Sequence, residues 1–179
     1  MARYTIRPEE STVTISARSS VHPIHTEAHG LEGWLDLDLD HTTPGRGRVD
    51  LGAAPAAHLE FPVENLRSGN PLEDRELRRR IDAGRFPRII GDLTSMRGTD
   101  EEGRYLVAGD LTFRGVSDHH EDEIRLTVVD ARTIRLEGES TFDVRDHGME
   151  PPRILLLRVH PDVRVAIDIT AERDDDTDG

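Results

Sequence analysis

The chain has 179 residues, 35% of them hydrophobic and 33% charged, with a net charge of −13 from 36 acidic and 23 basic residues. That length suits a single domain. The acidic balance excludes a phosphate-gripping nucleic-acid binder and a polybasic membrane anchor, and the lack of cysteine excludes thiol catalysis, disulfides and thiolate metal sites. No run of about 18 apolar residues is present to form a membrane-spanning helix. Met1 to Arg7 hold no apolar stretch of the kind a secretory signal needs. The expected location is therefore cytoplasmic.

Along the chain, period-two alternation predicts strands with one buried face. Val13, Ile15 and Ala17 alternate with Thr12, Thr14 and Ser16. Leu31, Gly33, Leu35, Leu37 and Leu39 alternate with Glu32, Trp34, Asp36 and Asp38, and the turn Thr43-Pro44-Gly45-Arg46-Gly47 follows. Ala57, Leu59, Phe61 and Val63 form the next run. Residues 70–82 break the rhythm and predict a helix. Asn70 is placed to cap it, Pro71 suits its first position, and Gly84 and Pro87 end it. Acidic Glu73 and Asp74 begin this helix and Arg78, Arg79 and Arg80 end it, which matches its dipole.

Beyond the helix, Val107, Gly109, Leu111 and Phe113 alternate after the loop Thr99 to Gly103. Arg114 to Asp118 reads as a turn. Ile124, Leu126 and Val128 follow, then Ile134, Leu136 and Phe142, and last Val163, Val165, Ile167 and Ile169. The carboxylate run after Arg173 predicts a disordered acidic tail over 173–179, leaving a domain over 1–172. About eight antiparallel strands and one helix fit either a closed barrel or a two-sheet sandwich, and alternation does not separate them.

Nine histidines invite a metal-site reading. His22 and His25, with a third donor, are the candidate pair, although residues three apart on a strand point to opposite faces. His119 and His120, beside Asp118 and Glu121, read as a solvated turn. Asp36 and Asp38 read as outward solubilising charges. Nucleophile-elbow and phosphate-loop patterns are both missing, so the chain is not read as an enzyme. Trp34 shares its parity with carboxylates and should face outward, against the helix or a second subunit. Inward Gly33, Gly109 and Gly138 either make room inside or mark bends.

Several segments together resemble the YceI-like proteins. They are Leu31 to Asp38, Phe61-Pro62-Val63-Glu64-Asn65-Leu66, Asp74-Arg75-Glu76-Leu77 running into Ala83-Gly84-Arg85-Phe86-Pro87, Val107 to Val116, and Phe142 to Met149. The resemblance spans about Tyr4 to Ala171. It implies an all-β, antiparallel, lipocalin-like barrel with one helix at about residues 71–82. It also implies binding, sequestration or transport of a long apolar or amphiphilic ligand, an isoprenoid-type lipid, inside that barrel, with no further cofactor. Leu35, Leu37, Phe61, Leu111, Phe113, Phe142 and Phe86 are the expected cavity lining. Arg145 matches the family's late arginine, placed either to meet a lipid head group or to pair with Asp143. Many relatives carry a secretion signal and act in the periplasm. Two other readings stand beside the carrier: a metal-binding protein using His22 and His25, and an acidic interaction module, with a homodimer among its forms, built on the face around Trp34.

Overall fold

The structure is a computed structural model and describes residues 1–40, 48–151, 153–154 and 157–174. In chain order the strands are β1 (Ala2–Ile6), β2 (Thr12–Ser19), β3 (Ile24–Ala28), β4 (Glu32–Leu37), β5 (Leu39–Asp40), β6 (Arg48–Val49) and β7 (Ala56–Pro62). After β8 (Leu66–Arg67) comes the helix α1 (Pro71–Ile81). Then follow β9 (Arg88–Gly98), β10 (Arg104–Phe113), β11 (Val116–Val128), β12 (Thr133–Asp143), β13 (Arg153–Ile154) and β14 (Leu157–Arg173).

Eight strands close an antiparallel barrel in the order β1-β4-β7-β9-β10-β11-β12-β14, with β14 pairing back onto β1. Closure leaves the ring without a free edge, and this decides the barrel over the sandwich. With 17 residues, β14 serves two strands. Val163 to Asp168 pair with β2, and Ala171 to Arg173 pair with β1. At the step between them the chain makes a 3-10 turn over Pro8–Glu10, and the buried Ser11 fills the gap in the ladder. Its Oγ donates to the Thr170 carbonyl (3.3 Å) and accepts from the Thr170 N–H (3.1 Å). β3 and then β8 extend the sheet beyond β2.

The alternating runs keep their parity. Val163, Val165, Ile167 and Ile169 face the interior, as do Leu35, Leu37, Leu111 and Phe113. The loops at 99–103 and 129–132 fall between β9 and β10 and between β11 and β12. Two expectations need correction, and one strand has no counterpart in the sequence reading. Residues 114–118 are not all turn: only Arg114 and Gly115 are, and β11 begins at Val116. Alternation does not predict strand β9 because its parity changes midway. Ala108 of β10 pairs with Ser95 while Gly109 pairs with Leu93, so Thr94 is an extra residue. Its hydroxyl donates to the Ala108 carbonyl at 3.0 Å, and a bulge of this kind puts Leu93 and Met96 on the same side. Finally, the sheet passes the expected domain limit at 172. Arg173 lies in β14, and the Asp174 N–H donates to the Arg3 carbonyl at 2.9 Å. The remainder of the tail, 175–179, and the turn Thr43 to Gly47 lie outside the described residues.

The helix is built as its sequence predicts. Asn70 Oδ1 accepts from the Leu72 N–H at 3.0 Å, and Pro71 occupies the first turn. Asp82 closes the helix in the left-handed conformation (φ 57°), so the stop comes two residues before Gly84. Arg79 and Arg80 both reach Glu76 at 2.8 Å, and their hydrogen bonds hold the Glu76 carboxyl down to about 2. The arginine cluster is thus occupied within its own helix. The apolar stripe of Leu77 and Ile81 turns toward the barrel interior.

Candidate functional site: a two-chambered apolar interior

Folded interiors normally pack so closely that voids larger than a water are few. This barrel is hollow. One chamber, of about 280 Å³, lies beneath the helix and is walled by residues such as Val13, Ile15, Phe61, Leu77, Phe113 and Val165. A second, of about 240 Å³, lies against Leu35, Leu37, Met96, Leu126 and Leu136. The two share Leu59, Gly91, Leu111, Phe142, Ile167 and Ile169, so they meet at a common waist. Together they fall within the range of small-molecule pockets, roughly 300–1,000 Å³. Polar groups on the first wall are sparse. They are Thr26, with Ser68 and Glu73 at the start of the helix, and His147 and His160. His160 is exposed as well as lining, which puts an opening to solvent beside it.

Of the three glycines singled out, Gly33 and Gly109 mark close backbone approaches. Gly33 (φ +144°) is a close approach: a Cβ there would overlap the carbonyl oxygen of His58. At Gly109 a Cβ would stand 2.7 Å from the Asp92 carbonyl oxygen, beside the bulge. Gly138 faces inward, but Ile124 and Ile167 close over it. Gly91, which alternation did not single out, makes room. A Cβ there would meet only the Leu59 Cβ, at 4.0 Å, and Gly91 lines both chambers.

Of the residues expected to line the cavity, the structure places Phe61 and Phe113 on the first chamber, Leu35 and Leu37 on the second, and Leu111 and Phe142 on both. Phe86 is placed elsewhere. Its ring covers the turn between β10 and β11, where a Cβ on Gly115 would come within 2.7 Å of it. The cause is the left-handed cap at Asp82, which turns the chain off the cavity wall before Phe86 is reached. Arg145 is also outside the chambers. It is exposed and grips Asp143, with Nε donating to the two carboxylate oxygens at 2.9 and 3.0 Å. Those bonds hold the Asp143 carboxyl below its ordinary range. Of the two roles weighed for Arg145, the structure shows the carboxylate pairing.

His22 and His25 do not converge. His22 Nδ1 lies 3.0 Å from the Pro23 carbonyl and His25 Nδ1 lies 3.0 Å from Ser16 Oγ, and both side chains are exposed. Among the described residues the group of donors that does converge is Asp118, His120 and His147. Alternation carries the signal for two of these. Asp118, His120, Asp122, Ile124 and Leu126 are every second residue of β11, continuous with the apolar face. Reading 114–118 as a turn hid it. Trp34 does face outward, but its neighbours are Arg3, 4.3 Å over the ring, and the His58 ring at 6.4 Å, not the helix. Arg3 is itself clamped by Asp36 at 2.7 and 2.8 Å.

Among the described residues no helix is long and apolar enough to cross a membrane. No curated protein matches the chain. Solved structures do. The chain is similar to a polyisoprenoid-binding domain from Saccharophagus degradans implicated in plant cell wall breakdown, at 12% identity and TM-score 0.75, covering 97% of this chain and 100% of that one. It is similar to BcnA of Burkholderia cenocepacia at 12% identity and TM-score 0.73, covering 92% and 98%. A YCEI protein of Campylobacter jejuni matches at 13% identity and TM-score 0.58, covering 79% and 82%. At such identities the shared property is the fold. The model of the YceI-like domain matches residues 4–171, and the chain belongs to that family.

Proposed function

We propose that this protein binds and carries a long apolar or amphiphilic molecule of the isoprenoid-lipid class inside its barrel. The observation that carries the reading is the interior itself: two adjoining apolar chambers with a glycine at their waist. A branched hydrocarbon chain gains about 25 cal/mol for each Å² of apolar surface it removes from water. A preformed dry pocket spares most of the ordering cost. The sparse polar groups near the opening suit a ligand with one polar end. The name of the Saccharophagus domain supports the same class of ligand.

The test is native mass spectrometry of protein purified without detergent, followed by solvent extraction and by titration with a long-chain prenol. A bound species near one per chain, extractable into organic solvent and replaced by the prenol, is the expected result. Protein that carries nothing and gains no thermal stability from saturating prenol would refute the proposal. Gly91→Leu provides the control, because it fills the waist from a position where a side chain meets no backbone.

A further inference from the structure

The inward face of β11 changes character along its length. Ile124 and Leu126 continue the apolar wall, but His120 and Asp118 lie on the same face toward the β10–β11 turn. The loop after β12 brings His147 to meet them, and one donor atom from each of the three lies within 4.8 Å of the others.

His147 is the most constrained of the three. It is 2% exposed. Its loop is closed by the Gly148 N–H donating to the Arg145 carbonyl (2.9 Å) and the Met149 N–H donating to the Val144 carbonyl (3.0 Å). The guanidinium of Arg114 bonds the Gly148 carbonyl from the facing turn. His147 Nδ1 lies 3.2 Å from the Val116 carbonyl. Only a protonated nitrogen can donate to a carbonyl, so a neutral ring bears its hydrogen on Nδ1 and its lone pair on Nε2. That Nε2 is buried and has no hydrogen-bond partner.

His120 Nε2 is also buried and without a hydrogen bond, with Asp118 Oδ2 at 3.5 Å. Phe142 meets the His120 ring edge-on at 4.6 Å, and Phe113 meets the His147 ring at 5.7 Å, so both imidazoles are held by aromatic walls. A buried unsatisfied nitrogen is costly, and two facing one carboxylate call for a shared partner. A hydrogen bond from the far ring nitrogen to a backbone carbonyl is the usual arrangement of a metal-ligating histidine.

We propose that Asp118, His120 and His147 form a site for a divalent transition metal. Two imidazole nitrogens and one carboxylate are a donor set that suits zinc or iron(II), with zinc–ligand distances of roughly 2.0–2.2 Å. Asp118 and His120 are only partly buried and can swing to close the remaining gap around a fixed His147. His147 lines the first chamber and His120 the second, so the fourth coordination position opens into the barrel interior. The site stands whether or not a lipid fills the chambers.

Untagged protein, stripped with a chelator, is titrated with Zn2+ by calorimetry and with Co2+ by visible absorption. One equivalent is expected to bind saturably, with the intense d–d bands of a four-coordinate Co2+ centre. Asp118→Asn and His120→Gln should each weaken binding by about tenfold or more, the least expected when even an outer partner of a metal ligand is lost. His22→Ala and His25→Ala should change nothing. Absence of a saturable Co2+ spectrum in the wild-type protein overturns the site. So does metal binding that survives Asp118→Asn combined with His120→Gln. Both substitutions are at partly exposed positions, and a circular dichroism melt confirms that each variant is folded before it is scored.

Discussion

The two sides of the barrel wall are built differently. β12 and β14 run together without interruption, from Thr133 opposite Glu172 to Asp143 opposite Asp162. Most of their inward residues are large and branched, Ile134, Leu136, Val163, Val165, Ile167 and Ile169, with Gly138 among them beneath Ile124 and Ile167. Across the barrel, β9 and β10 slip register at Ala108 and Gly109, two glycines stand in the wall, and β11 turns Asp118, His120 and Asp122 inward. The regular side supplies adhesion, because β-branched residues pack well on a pleated face. The irregular side supplies the waist at Gly91 and the polar cluster. Both sides line the chambers, with Phe142, Ile167 and Ile169 facing Gly91 at the waist, but the irregularities lie on one side.

That division predicts different costs for mutation. The largest should fall on the regular side: Ile134, 1% exposed, truncated to Ala, should lose about 2–5 kcal/mol in a urea melt. Leu111, which faces the hollow, should lose less on truncation, about 2 kcal/mol at the foot of the same range, because fewer atoms surround it. Equal losses at the two sites would mean that the interior is filled. Next comes Gly109→Ala. Its Cβ would press on the Asp92 carbonyl at 2.7 Å and should cost about 1–3 kcal/mol by the same melt.

Gly91→Leu should leave stability within about 1 kcal/mol yet block passage between the chambers and abolish prenol binding by calorimetry. Full binding in that variant would show that the ligand needs only one chamber. Smallest is the acid response of the outer face. Glu76 has its pKa lowered from 4.5 to about 2, and the carboxyls of Asp36 and Asp168 are likewise held down by hydrogen bonds from Arg3 and Arg135. A carboxylate with a depressed folded pKa stabilises above its unfolded value and loses that contribution as pH falls toward its folded one. The melting temperature should therefore decline modestly as pH drops from about 4.5 to about 2, and Glu76→Gln should flatten part of the slope.

The regular side was legible from the chain alone. Alternation places every inward residue of β14 from Val163 to Ile169, and Asn70 with Pro71 marks where the helix starts. The irregular side was legible only in part: alternation predicts β10 and the second half of β11, and misses β9 and the start of β11. One extra residue, Thr94, reverses the parity of β9 and removes the pattern by which a strand is recognised. β1 and β3 have five residues each, too few for alternation to stand out. In the candidate site, Leu35, Leu37, Phe61, Leu111, Phe113 and Phe142 follow from parity. Phe86 and Arg145 were assigned from a resemblance, and their local geometry, a left-handed cap and an adjacent aspartate, directs them elsewhere. The convergence of His147 on His120 joins residues 27 positions apart through a loop whose path no periodicity encodes.

The central claim is a continuous hollow shaped for one long apolar molecule. The most direct measurement is a crystal structure of natively purified protein, inspected for electron density along the barrel axis. Elongated density passing Gly91 and occupying both chambers is the predicted result. Side chains meeting across the axis, with no continuous space between Leu37 and Phe113, would contradict it.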